Sequence, residues 1–456
     1  MSSTPVAIPM RGSRPVRRPS AATVVVAVIY LGFAGVVILW WAGGAPPTSA
    51  ASRLVDYGRL CGLVAAYLVL VQLALRARIP YVEHGVDTQR LARLHGTGGG
   101  CLVVLAVGHA LLILWGYAGL ADQRLVPQAQ ILVVSYPDVL MATAALGLLL
   151  LVGVVSMRAV RRRLRYETWF HLHLYVYLAT ALALSHQLAN GEHFAASTAA
   201  RWTWRGLYGV VAIAVLLYRV VTPLHRSIRH RLRVESVTEV APGTTSVVIT
   251  GRDLNRLGAR PGQFFRWRFL TGKHWWSANP YSLSAPPAAD RLRITAKAVG
   301  DHSRGLHTLR PGTSVIAEGP YGALTASRAH RPGVLLVAGG IGITPLRALL
   351  ETLPAEPGQL TLIYRAHSAE AVVFRDELDT IAAARGASIH YLVGCRTEIG
   401  DPLTAATLLR FVPDVAERDV YLCGPSQMTA AVERQLRSIG VPQCQLHTET
   451  FVLHTV

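Results

Sequence analysis

Four histidines stand inside apolar runs of this chain. His95 and His109 lie 14 residues apart in the run from about Leu94 to Tyr117, and His173 and His186 lie 13 apart in the run from about Trp169 to Ala189. An ionisable ring in hydrocarbon is costly and by default marks a functional partner. Imidazole is a common axial ligand of haem iron. Two helices, each with one histidine near each membrane face, can hold two stacked haems by bis-histidine ligation, which offers a one-electron path across a bilayer. On an ideal helix fourteen residues advance about 21 Å and turn about 1400°, close to four full turns, so His95 and His109 share a side. Thirteen residues turn about 1300°, and His171, 15 residues before His186, aligns better. Periodicity therefore leaves both His171 and His173 open. Gly96, Gly98, Gly99, Gly100 and Gly108 flank the first pair, where glycine admits close approach of a flat ring; small-residue packing between helices is the other reading.

A second set of residues suits nucleotides. The apolar run Val334–Ala338 enters Gly339-Gly340-Ile341-Gly342-Ile343-Thr344-Pro345, a strand leading into a glycine turn and a helix. Such a turn brings a pyrophosphate to the backbone and the helix N-terminus. The spacing is not the G-x-G-x-x-G fingerprint. Farther on comes Tyr421-Leu422-Cys423-Gly424-Pro425-Ser426-Gln427-Met428. Arg365 and Arg396 follow two later strands, and a guanidinium there suits the 2′-phosphate that separates NADPH from NADH. Upstream, Pro261–Phe265 precedes Asn279-Pro280-Tyr281-Ser282-Leu283-Ser284, followed by Lys297-Ala298-Val299-Gly300-Asp301-His302-Ser303 and by Glu318-Gly319-Pro320-Tyr321-Gly322. A glycine turn with a hydroxyl suits phosphate oxygens. No nucleophile–base triad stands out.

Elements must hold these groups. Half of the 456 residues are apolar (51%), and they concentrate in the first half of the chain. Six runs approach the length of about 20 residues that spans a bilayer: 22–42, 56–75, 94–117, 137–156, 169–189 and 203–222. The net charge of +19 is unevenly placed. Arg11, Arg14, Arg17 and Arg18 precede the first run, Arg76, Arg78, Arg90 and Arg93 follow the second, Arg158, Arg161, Arg162, Arg163 and Arg165 follow the fourth, and Arg226, Arg229, Arg231 and Arg233 follow the sixth. The alternate loops carry chiefly Arg53, Arg124 and Arg201. This is the positive-inside pattern with both termini cytoplasmic. No basic helix with groove-reading residues accompanies the charge, so nucleic acid is excluded as a partner. The five cysteines form no CxxC and imply no disulfide framework. The expected architecture is a disordered cytoplasmic tail (1–20), an all-α six-helix membrane bundle (21–222), an antiparallel β-barrel (228–326) and an α/β nucleotide-binding domain (331–456).

The run Trp169-x-x-Leu172-His173-x-x-x-Tyr177-Leu178 with His186 beyond it resembles the fifth helix of the ferric reductase-like transmembrane family, which includes NADPH oxidases and ferric-chelate reductases. The resemblance chooses His173 over His171 and implies that two haem b groups sit between His95 and His173 on the inner side and between His109 and His186 on the outer side. The later motifs resemble the ferredoxin–NADP reductase superfamily. That likeness implies FAD against Asn279, Pro280, Tyr281, Ser282 and Leu283, with Lys297, Gly300 and Ser303 near its phosphates. This chain has Asn279 where many members carry Arg or His, with Lys297 and Arg304 as compensating cations. The likeness also implies NADPH or NADH over Gly339–Gly342, Thr344 and Pro345, with Cys423, Gly424 and Pro425 by the nicotinamide. His447–Phe451 resembles the C-terminal segment, where an aromatic, here Phe451, covers the flavin. The expected enzyme is an NAD(P)H-dependent flavocytochrome of the plasma membrane, with Tyr281, Ser282, Cys423 and Phe451 at the site of hydride transfer. Its expected acceptor is dioxygen, giving superoxide; a ferric chelate or a protein partner is the alternative.

Overall fold

The computed structural model describes residues 21–43, 47–86, 88–164, 166–191, 197–272, 275, 277–395 and 402–451. The tail 1–20 and Arg396 lie outside these residues. For Phe451 the backbone is described and the side chain is not.

The first half is helical: α1 (Ala21–Gly43), α2 (Ala50–Arg76), α3 (Pro80–Gly85), α4 (Thr88–Leu120), α5 (Leu125–Ser135), α6 (Val139–Ser156), the single turn α7 (Arg158–Arg161), α8 (Tyr166–Asn190) and α9 (Thr198–Leu216). Ser49 starts α2 with a capping box, its hydroxyl accepting from the Ser52 N–H while the Ser52 hydroxyl accepts from the Ser49 N–H. Among the described residues five helices are long and apolar enough to cross a membrane: Ala22–Ala42, Ala50–Arg76, Arg90–Leu120, Val139–Ser156 and Thr198–His230. The run 169–189, expected as a sixth crossing, is helical in the 25-residue α8, but α8 is not among the five, and it carries three histidines and three tyrosines. Side chains such as Val104, Leu140, Val210 and Ile213 face outward, as a lipid-facing surface requires. α2 lies along α4, and α6 lies along α8. The two histidine-bearing helices, α4 and α8, do not pack side by side.

The last long apolar helix runs on toward the strand half. α9 passes through a π-helical segment, Leu217–Val221, into α10 (Thr222–His230), giving a run of 33 residues from Thr198 to His230. His230 is buried at its end and its Nδ1 lies 2.7 Å from the Arg252 carbonyl of the strand half.

The strand half begins with six antiparallel strands: β1 (Arg233–Ala241), β2 (Thr244–Thr250), β3 (Phe264–Phe269), β4 (Asn279–Ser282), β5 (Arg291–Lys297) and β6 (Val315–Tyr321), with α11 (Asp301–Gly305) after β5. They form two three-stranded sheets, β1-β2-β5 and β4-β3-β6, rather than one continuous ladder. Single bridges, Leu283 to Ile294 and Arg233 to Ser314, join the sheets at their edges. Alternation places Phe265, Trp267 and Phe269 of β3 in one core with Ile249, Leu292 and Ile294. β4 was not expected, because four residues with a proline give almost no strand signal.

A five-stranded parallel sheet follows, in the order β11-β10-β7-β8-β9. Its strands are β7 (Val334–Gly339), β8 (Leu360–Ala366), β9 (Ser388–Val393), β10 (Asp419–Pro425) and β11 (Leu446–Phe451), with α12 (Ile343–Thr352), α13 (Arg375–Arg385), α14 (Ala405–Phe411) and α15 (Ser426–Ser438) between them. Every residue of β7 is buried, which explains its unbroken apolar run.

Candidate functional site

The four histidines meet in two pairs. The rings of His95 and His173 have centroids 6.0 Å apart, and those of His109 and His186 are 6.3 Å apart. Each pair spans the gap between α4 and α8. Two metal–imidazole bonds of about 2 Å, plus the half-width of each ring, put two axial imidazoles about 6 Å apart, centroid to centroid. Among the described residues no group of three or more His, Cys, Asp or Glu is placed to hold a metal ion. Two imidazoles per site therefore suit an iron whose other ligands come with a tetrapyrrole.

Each ring is steered through Nδ1. His109 Nδ1 lies 2.8 Å from the Gly58 carbonyl of α2, so it donates there and leaves Nε2 for the gap. The Gln72 carboxamide, also on α2, lies 2.7 Å from His95 Nδ1. His173 Nδ1 lies 3.2 Å from the Ser156 hydroxyl at the end of α6, and His186 Nδ1 lies 3.2 Å from the Asn190 carboxamide. Trp169 stacks on His173 at 5.1 Å and carries the Arg161 guanidinium on its face at 4.4 Å. His171 faces Phe170 instead, 5.8 Å between centroids, and is exposed.

The glycines divide. Beside Gly96, Gly99, Gly100 and Gly108 there is open space where a Cβ would stand, while at Gly98 it would meet Gln72 Nε2 at 2.1 Å. The tighter requirement lies on α2, where a Cβ on Gly62 would stand 2.7 Å from His109 Nδ1. Gly58, Gly62, Gln72, Ser156 and Asn190 were not singled out from sequence. A glutamine inside the apolar α2 was the available signal.

In the antiparallel strands, Tyr281 and His302 stack, with ring centroids 6.0 Å apart, and the Tyr281 hydroxyl lies 3.0 Å from His302 Nδ1. Burial pushes the Tyr281 phenol up, so it stays neutral. Ser282 is 2% exposed and its hydroxyl has no hydrogen-bond partner among the described residues. A buried polar orphan of this kind awaits a ligand or water. Asn279 and Pro280 pair with Trp267 and Arg266 of β3, and Leu283 lies in the core. Ser303 is committed locally: its hydroxyl accepts the N–H groups of Val299 and Gly300 at 3.0 Å each.

At the tips of the parallel strands Gly340 has φ +54, the left-handed region that favours glycine. Gly339, Gly342 and Gly424 serve close packing: a Cβ on Gly342 would stand 2.2 Å from the Cys423 carbonyl, and on Gly339 2.4 Å from Met428 Sδ. Thr344 donates to the Ile341 carbonyl at 3.0 Å, and Pro345 lies buried in the first turn of α12. A cavity of about 140 Å³ opens at these tips, lined by Gly340, Ile341, His367 and Ser368 and by Thr244 and Lys297 from the antiparallel strands. It occupies the crevice beyond the carboxyl ends of parallel strands, where such sheets bind ligands. Cys423 is fully buried, and burial, then the Glu449 carboxylate, hold its thiol well above the usual range, so it is no thiolate. The Arg365 guanidinium reaches the carbonyls of Ala366, Leu392 and Gly394, which ties β8 to the end of β9.

Comparison with known proteins adds two families. The family described as "Ferric reductase like transmembrane component" matches residues 61–184, and "Oxidoreductase NAD-binding domain" matches residues 336–434. The first match contains His95, His109 and His173 and ends two residues before His186. The second contains the glycine turn and Cys423–Pro425. The chain is 32% identical over 233 residues to the ferredoxin reductase component of 3-ketosteroid-9-alpha-monooxygenase from Mycolicibacterium smegmatis, covering 48% of this chain and 65% of that protein. It is 30% identical over 207 residues to a flavohemoprotein from Deinococcus radiodurans, covering 42% and 51%. The chain thus spans between half and two-thirds of these relatives. Among solved structures, the FAD/NAD-binding domain of nitric oxide dioxygenase from Vibrio cholerae covers 48% of this chain and 98% of that domain, at 23% identity and a TM-score of 0.41. The chain thus carries a segment similar to a ferric reductase-like transmembrane component, followed by one similar to the NAD-binding domain of oxidoreductases.

Proposed function

We propose that the protein moves electrons from NAD(P)H on the cytosolic side of the plasma membrane, through FAD and two b-type haems, to an acceptor on the outer face, with dioxygen reduced to superoxide. The observation that carries this reading is the pair of imidazole couples spanning one gap at 6.0 and 6.3 Å. In this reading α8 is a sixth crossing, both termini are cytosolic, and residues 21–222, 228–326 and 331–456 are the haem, FAD and nucleotide domains.

His95 and His173 hold the inner haem, and His109 and His186 the outer one. When bound, haem supplies a one-electron iron couple, and FAD supplies the exchange between a hydride and single electrons. The protein's part is to bind and orient. Gly58 fixes the His109 tautomer from α2, and Gln72, Ser156 and Asn190 contact the other three rings. Tyr281 and the buried Ser282 hydroxyl face the flavin, and Lys297 and the Gly340 turn receive the nucleotide phosphates. Cys423 packs as a neutral thiol behind Gly424, which lets the nicotinamide approach the strand tips. Arg365 shapes the sheet edge, so preference for NADPH over NADH rests on groups beside it. The name of the matched membrane family favours a second reading, reduction of a ferric chelate at the outer face.

The test is spectral and kinetic. The purified protein loaded with FAD and haem should show a sharp dithionite-reduced α band, and with NADPH in air it should reduce cytochrome c in a manner blocked by superoxide dismutase. Rapid ferric-chelate turnover with no effect of the dismutase would select the second reading. Absence of haem from the isolated protein would end both.

A further inference from the structure

The loop leaving α2 grips the strand half through one arginine. Arg78 adopts φ +66, a backbone conformation rare for a long side chain and retained where the surroundings over-determine it. Its guanidinium donates to both carboxylate oxygens of Glu83 in α3, at 3.0 and 3.1 Å. The two side chains are 15% and 5% exposed. The opposite use of the same group is a contact to the other half: its carbon lies 4.6 Å above the Tyr321 ring at the end of β6. Arg226 of α10 donates to the adjoining Gly319 carbonyl.

We infer that Arg78 is a positioning residue that docks the strand half under the inner histidine pair, so that it governs electron delivery into the membrane half and not hydride entry from NAD(P)H. The connection runs both ways from Arg78. Toward the membrane, α2 ends at Arg76, and Gln72 one turn earlier touches His95. Toward the flavin face, Tyr321 pairs in register with Phe264, and Phe264 pairs with Ser282. One guanidinium therefore joins the helix that steers an inner histidine to the strand beside the orphaned serine hydroxyl. Glu83 holds the guanidinium over Tyr321, and a lysine lacks the planar fork that serves both contacts.

This inference rests on the proposed function. The test uses the full-length protein loaded with FAD and haem, mixed anaerobically with NADPH, with flavin bleaching and the haem α band followed together and ferricyanide turnover measured separately. Arg78→Lys, and Arg78→Ala combined with Glu83→Gln so that no carboxylate is left buried alone, should keep flavin bleaching, ferricyanide turnover and haem content near wild type. Haem reduction should fall about tenfold or more in both, a loss of docking smaller than the removal of a buried pair commonly causes. Unchanged haem reduction in both variants would overturn the inference, and so would equal slowing of flavin bleaching and haem reduction. A wild-type protein without haem would instead sink the proposed function.

Discussion

The two histidine pairs look alike in spacing and differ in what steers them. The outer ring of His109 is held by a backbone carbonyl, Gly58, in a slot that Gly62 keeps open. The inner rings of His95 and His173 are held by side chains, Gln72 and Ser156, with Trp169 stacked on the latter. A carbonyl fixed in a helix cannot swing away, whereas a carboxamide or hydroxyl can turn. In the proposed reading one ring of the outer pair, His109, is thus set by the helix pair α2–α4 itself, while its partner His186 and both inner rings depend on side-chain rotamers. A membrane protein can give one site rigidity and its neighbour adjustability with the same ligand type.

The strongest way to break this comparison is to remove ligands. His109→Ala or His186→Ala should each remove about half of the bound haem, one site of two, read by the pyridine haemochrome. Retention of both haems in His173→Ala, with loss in His171→Ala, would show that the geometry of the inner pair misleads. Gly62→Ala comes next. Its methyl would press on a ring pinned to Gly58, and outer haem retention should weaken roughly 10- to 100-fold, as for loss of an outer-shell partner, with the inner site intact. Gly98→Ala should act only on the inner site and more weakly, because Gln72 can move away; its signature is a shifted inner midpoint potential at normal haem content. Equal effects of the two glycine changes would erase the distinction.

The smallest expected effect lies outside the membrane and serves as a control. Glu377 of α13 accepts from Arg293 of β5 at 2.9 Å through both oxygens, and from Arg347 of α12 at 2.9 Å. Burial pushes the Glu377 carboxyl up, but the hydrogen bonds and charges of Arg293 and Arg347 outweigh it and hold the group below the usual range. A lowered folded value means that the stabilisation is present above the ordinary carboxylate range and is lost as pH falls through the lowered value. Melts of the wild type should therefore fall more steeply on acidification than those of Glu377→Gln, with haem spectra alike at neutral pH. Parallel curves would remove Glu377 as a pH-dependent clamp.

Local pattern carried much of this fold. The parallel strands lie within a residue or two of the apolar runs, because a strand buried on both faces must be apolar throughout. The 14-residue spacing of His95 and His109 gave a shared helix face. The same arithmetic favoured His171 on α8, yet the structure faces His173 toward His95. The reason is partly non-local: Ser156 on α6 meets the His173 ring, while Trp169, one turn earlier on α8, stacks on it. Nor is Gly58, Gly62 or Gln72 legible from α4, since all three belong to a neighbouring helix. Arg365 read as a phosphate ligand because a guanidinium after a strand has that chemistry, but three carbonyls of adjacent strand ends claim it. Ser303 is similarly taken by its own turn.

The uninterrupted run from Thr198 to His230 fixes an angle as well as a height. Its 33 residues extend about 50 Å, against a hydrocarbon core of about 30 Å. The residues beyond the apolar run 203–222 continue the helix and carry Arg226 to its contact on Gly319. One residue inserted between Val221 and Arg226 would rotate everything beyond it by about 100°, while seven would return it to within about 20° of its starting azimuth, displaced along the axis. The two halves of the molecule are keyed in phase, so length changes in this helix act in steps of helical turns and not smoothly.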